Sequence, residues 1–126
     1  MKQKKGYTLL ELLVVIGIII ILIAIGASSY STAQAKARDA KRKGDLKSIS
    51  NALEQYYSVC NYVYPATLGT SIVCASPSRV VMPTVPIDPE GASYTMTQPS
   101  GTTSSYKICA TLTTEAVASY CIENQQ

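Results

Sequence analysis

Hydrophobic and polar positions follow three successive patterns along the chain. From Leu12 to Ala35 no side chain is charged, and Leu12–Ala27 is almost purely aliphatic. Taken as helix, this uncharged run would reach about 36 Å at about 1.5 Å per residue, enough for a hydrocarbon core about 30 Å thick. After Ala35 the pattern turns amphipathic. Leu46, Ile49, Leu53 and Tyr56 recur at spacings of three and four, marking one face for packing. No proline falls between Leu9 and Tyr57, so one helix of roughly 70 Å is predicted there. From Cys60 to Gly91, Pro65, Pro77, Pro83, Pro86 and Pro89 predict a loop, with Asp88-Pro89-Glu90-Gly91 as a turn. Alternating segments then predict strands at Ser93–Gln98, Tyr106–Leu112 and Val117–Ile122. A long helix followed by short antiparallel strands is an α+β arrangement, the sheet lying against the amphipathic face.

Charge sharpens this division. The 126 residues carry 11 Lys/Arg and 8 Asp/Glu, and Lys2, Lys4 and Lys5 account for the whole excess. Residues 36–47 hold the cations Lys36, Arg38, Lys41, Arg42, Lys43 and Lys47 against Asp39 and Asp45. The sequence beyond is acidic. The simplest account of the basic run is a solvated helix face with local ion pairs such as Lys41 with Asp45. It could also face the acidic parts of neighbouring copies, or nucleic acid.

A lysine-rich start before an apolar run fits a secretory signal, a plain membrane anchor or a cleaved leader. A signal peptide would be cut at Ala33-Gln34-Ala35 and release a soluble binding module starting at Lys36. Its apolar segment normally spans about 7–15 residues, shorter than the run here. Glu11 also interrupts the start of this run, where a charge costs roughly 2.5–3.5 kcal/mol on insertion scales.

The segment Lys5-Gly6-Tyr7-Thr8-Leu9-Leu10-Glu11-Leu12-Leu13-Val14-Val15-Ile16 resembles the leader junction of type IV pilins and type II secretion pseudopilins. The resemblance implies cleavage after Gly6, N-methylation of Tyr7, and an assembly role for Glu11 at the fifth position of the mature chain. Tyr7 stands where the family usually has phenylalanine, and Ile20 and Ser28 stand where many members have glycine and proline. On this basis residues 1–6 are a leader, 7–35 a transmembrane and assembly helix, 36–59 its amphipathic half, and 60–126 a small disulfide-bonded β region. The implied partners are other copies of the chain, the membrane before assembly, a prepilin peptidase and methylase, and an assembly machinery. Nucleic acid would join them only for a DNA-uptake filament. The implied location is a single pass through the cytoplasmic membrane, N-terminus inside, then a filament at the cell surface. The cations of 36–47 outnumber the leader lysines, so the flanking-charge rule alone points the other way.

Glu11 has a physical reason to matter. Cleavage would create an amine on Tyr7 with an ordinary pKa of about 7.7–8.0. Within bundled apolar helices, that cation and a carboxylate from a neighbour would neutralise each other. A solvated Glu11 at headgroup level is the plainer alternative.

Cys60, Cys74, Cys109 and Cys121 allow three disulfide pairings. The short-loop set, Cys60–Cys74 with Cys109–Cys121, is favoured, and an oxidising compartment would retain it. No CxxC pair and no histidine is present, which argues against zinc and excludes a Ser/His/Asp or Cys/His catalyst. No cofactor or enzymatic activity is expected. Asp88 and Glu90 could ligate calcium, as loop acids do in related pseudopilins, but a solvated turn is the simpler assignment. Serines and threonines of 100–105 are glycosylation candidates.

Overall fold

The computed structural model describes residues 6–99 and 103–125, except the side chain of Ser28. Lys2, Lys4 and Lys5 of the leader, and Ser100 and Thr102 of the glycosylation candidates, lie outside the described residues. The elements are α1 (Leu9–Val59), β1 (Ile72–Cys74), β2 (Arg79–Met82), β3 (Thr95–Thr97), β4 (Lys107–Thr111) and β5 (Ser119–Glu123). The chain forms two compact units, one ending at Ala35 and the other beginning at Lys36.

In the first unit the helix is uncovered. Its most apolar window is 0% buried, and side chains such as Leu12, Ile20 and Ile25 are exposed along it. By length and composition this segment can cross a membrane.

In the second unit the helix supplies the core. Leu46, Ile49 and Leu53 are 0% exposed, and Tyr56 packs half-buried beside them. Against this stripe lie Tyr64, Ile72, Val85, Tyr94, Tyr106, Ile108 and Ala110. In β4 the period of two turns Ile108 and Ala110 inward and leaves Lys107, Cys109 and Thr111 less covered. β4 pairs antiparallel with β3 (Thr95 opposite Cys109) and with β5 (Cys109 opposite Cys121), giving the order β3-β4-β5. Strands occur in each of the three predicted segments, with narrower or slightly shifted bounds.

The segment Cys60–Gly91 is not simply a loop. It contains an antiparallel hairpin, β1 with β2, with Val73 opposite Val80. The prolines misled because they punctuate the strands and do not interrupt them. Pro77 sits in the connecting turn and Pro83 directly follows β2, while Ile72 pairs with Met82 and Val73 with Val80. The turn after Asp88 forms as predicted. The Gly91 N–H donates to the Asp88 carbonyl (2.8 Å), and Gly91 takes φ 89°, which a residue without Cβ adopts freely.

Helix α1 stops by a Schellman-type closure. The Tyr62 N–H donates to the Tyr57 carbonyl (3.1 Å) across a left-handed Asn61 at φ 58°. Tyr62 is also left-handed, at φ 56°, and its ring meets Tyr57 edge-on at 5.7 Å. Just beyond the helix Cys60 is bonded to Cys74, and Cys109 is bonded to Cys121 across β4 and β5.

Leu53→Ala would leave a cavity between helix and sheet. It is expected to cost about 2–5 kcal/mol, measured as a lower urea midpoint with an unchanged m-value.

Candidate functional site

The start of α1 is built by local hydrogen bonding. Thr8 is the N-cap: its Oγ1 accepts from the Glu11 N–H (3.2 Å) and its carbonyl from the Leu12 N–H (3.2 Å). Thr8 and Glu11 stand at capping-box spacing, a signal present in the sequence and overlooked in favour of the charge alone. The cap stabilises the start of the helix and fixes Glu11 in its first turn. There the helix dipole favours a negative charge.

Around Glu11 the surface is apolar. Tyr7, Glu11, Leu12 and Val15 line a shallow groove of about 210 Å³. Among the described residues no donor reaches the Glu11 carboxylate. Gly6 and Tyr7 precede the helix, exposed and outside any regular element.

A second constellation lies in the folded head, where the sequence suggested a solvated basic face. Arg42 and Asp39 are buried there, at 3% and 2% exposure. Arg42 Nη1 donates to Asp39 Oδ1 (2.8 Å), Nε to Asp88 Oδ2 (2.6 Å) and Nη2 to Asp88 Oδ1 (3.1 Å). Glu90 Oε2 lies 3.1 Å from Nη2. Asp39 also accepts from the backbone N–H of Thr113 (3.0 Å) and Thr114 (2.8 Å) and from the Thr114 hydroxyl (2.6 Å).

These bonds set the protonation states. The Thr114 hydroxyl, aided by the backbone amides and Arg42, holds the Asp39 carboxyl well below the usual range against the opposing effect of burial. Asp88 is likewise lowered, chiefly by its hydrogen bond from Arg42. The same bond raises the Arg42 guanidinium above its ordinary value.

Two expectations therefore need correction. Lys41 and Asp45 do not pair; Asp45 accepts from the Tyr94 hydroxyl (3.0 Å). Asp88 and Glu90 are neither a free turn nor an open cation site, since the guanidinium already takes their oxygens. Among the described residues no group of three or more His, Cys, Asp or Glu is placed to hold a metal ion. Acids of the same chain also take part of the basic run thought to face neighbours: Arg38 meets Glu90 at 3.5 Å, and Lys43 meets Glu115. Further along α1 the half-buried Glu54 accepts from the Tyr64 hydroxyl (3.1 Å) and the Tyr106 hydroxyl (3.2 Å). Burial raises both phenols, Tyr106 to about 12.

An apolar helix left exposed among the described residues needs lipid or another apolar surface to cover it, which is the architecture of a helix-anchored protein. Residues 1–27 match the prokaryotic N-terminal methylation motif. The chain is 31% identical over 104 residues to type II secretion system core protein G of Pseudomonas aeruginosa, covering 74% of this chain and 72% of that protein. It is 29% identical over 108 residues to core protein G of Escherichia coli, covering 77% and 74%. It is 34% identical over 56 residues to the type IV major pilin protein PilA of Myxococcus xanthus, covering 44% and 26%. No solved structure matches it. The chain belongs to the family of type IV pilins and type II secretion pseudopilins, and it is a pilin-like filament subunit.

The depressed Asp39 and Asp88 groups predict acid sensitivity of the head. Carboxylates that ionise more readily when folded stabilise fully above their unfolded value of about 3.9, and this stability is lost as pH falls through the folded values. The raised Tyr64 and Tyr106 phenols act oppositely: their stability is complete below about pH 10 and is lost above it. Urea midpoints should be flat between these limits and fall on both sides. Asp39→Asn should lower the plateau and weaken the acid limb.

Proposed function

We propose that the chain is the precursor of a type IV pilus-like filament subunit, cleaved after Gly6, N-methylated on Tyr7 and polymerised through its apolar helix. The observation that carries this is Glu11: a carboxylate without a partner among the described residues, on an apolar, uncovered helix surface one turn from the proposed new N-terminus. A newly cut Tyr7 amine, mostly cationic at neutral pH, is the complementary partner from a neighbouring copy. In surroundings that exclude water, leaving either charge alone costs several kcal/mol, so the pair sets subunit register. The methylation-motif match over residues 1–27 supports the same processing. So does the helix itself, which is long and apolar enough to hold the precursor in a membrane.

A pseudopilin of a secretion system is the second reading. It is favoured by the extent of the alignments, which reach over 104 residues for a core protein G against 56 for a pilin. Surface filaments at native expression support the pilus; loss of exported proteins on deletion, without such filaments, supports the pseudopilin.

Mass spectrometry of the mature protein is expected to give an N-methylated Tyr7 start, whereas a Lys36 start would identify a secreted module and overturn the proposal. Glu11→Ala should still insert and be cleaved, yet give no ordered filaments by electron microscopy. Normal filaments from that variant would remove the proposed role of Glu11.

A further inference from the structure

The two disulfides of the head differ in their surroundings. Cys60 and Cys74 are buried, at 3% and 2% exposure. Cys121 is exposed and Cys109 half-buried. Their sequence separations, 14 and 12, are nearly equal, so loop-closure entropy hardly distinguishes the two bridges. Access does. A thiolate exchanges with a disulfide only by reaching one of its sulfurs, and it meets the Cys109–Cys121 pair at the surface, outside the core.

The exposed bridge is also placed where its loss would act locally. Cys109 stands opposite Cys121 in an antiparallel ladder, flanked by Ile108 with Ile122 and by Ala110 with Tyr120. Ile122 packs against the core as well, so β5 has support besides the covalent bond. What the bond closes is the base of the loop 112–118. In that loop Thr113 and Thr114 donate to Asp39, and Glu115 meets Lys43. While the bridge is intact, loop and strand are held to β4 at both ends. Once it is cut, residues 112–125 are an arm joined to the head at one end only, able to open as a local unit.

We propose that Cys109–Cys121 is a thiol-exchange site, reduced by dithiols while Cys60–Cys74 stays closed, and that its reduction frees the 112–125 arm without unfolding the head. One thiolate of the dithiol attacks Cys121 Sγ, the sulfur of the more exposed residue. A new S–S bond forms there, the Cys109–Cys121 bond breaks, and its electron pair leaves on Cys109, which takes a proton from water. The second thiolate of the dithiol then displaces Cys121. The reductant departs as its own disulfide, and both cysteines are left as thiols. The oxidised head keeps the loop latched on Asp39 and Lys43; the reduced head lets that latch open. The inference concerns the folded head and stands apart from the pilus reading.

The test uses the full chain in detergent micelles, treated with dithiothreitol and quenched at intervals with iodoacetamide, peptide mass spectrometry reading each cysteine. Cys109 and Cys121 should be alkylated at least about ten-fold faster than Cys60 and Cys74, because the buried pair must first be uncovered by opening of the head. Hydrogen exchange of the partly reduced chain should rise within 112–125 by up to about a hundred-fold, the effect of closing a loop of this length on the opening equilibrium. The amides of 46–53 should keep their protection. The double variant Cys109→Ser with Cys121→Ser should show the same exchange pattern with no reductant present, and re-oxidation of the reduced wild-type chain should restore the original one. Equal alkylation of all four cysteines overturns the inference. So does exchange at 46–53 that rises in step with 112–125, or loss of helical circular dichroism in the double variant, since the bridge would then hold the whole head and not one arm.

Discussion

The head depends on one buried cation. Arg42 leaves the helix toward Asp88 and Glu90, 46 and 48 residues further along the chain, while Asp39, one turn away, reaches the loop at Thr113 and Thr114. Two loops distant in sequence are thereby fixed to the same turn of helix. Burying charge is unfavourable unless nearly every lone pair and proton finds a partner. That condition is met here: among the described residues no buried side-chain nitrogen or oxygen lacks a hydrogen bond. A guanidinium suits the place because its rigid planar fork grips Asp88 with two hydrogen bonds while still donating to Asp39, a fixed geometry that an ammonium does not offer.

The parts of the fold written in local pattern were legible from the chain. The helix announced itself by an apolar run and then by Leu46, Ile49 and Leu53 at helical spacing. The three later strands showed their alternation, and Gly91 showed the turn. What stayed hidden depended on distance or on small numbers of residues. The hairpin β1–β2 has strands of 3 and 4 residues, too short to display a period among prolines. The burial of Asp39 and Arg42 could not be read from their neighbours, since charges on a helix next to other charges look solvated. Only partners far along the chain make them interior. Thr8 was different: the capping-box spacing with Glu11 was there to be read, and attention to the carboxylate's charge obscured its neighbour's hydroxyl.

Seen together, the two ends of α1 treat acidity in opposite ways. The head satisfies its carboxylates internally, through Arg42, lysines, tyrosine hydroxyls and backbone amides. Among the described residues the apolar segment gives the Glu11 carboxylate no partner. Such a division suits a subunit that folds first and associates later, because the head's charge network is satisfied without drawing on the Glu11 carboxylate.

The two disulfides close loops of 14 and 12 residues by sequence separation. Every alternative pairing of the four cysteines would close a longer loop. Loop-closure entropy alone therefore favours this set by about 2 kcal/mol over either rearrangement, even in a disordered chain. Correct oxidation does not have to wait for the helix, the sheet and the buried arginine to come together. A chain emerging into an oxidising compartment can acquire its covalent links first, and it then folds with its search already narrowed.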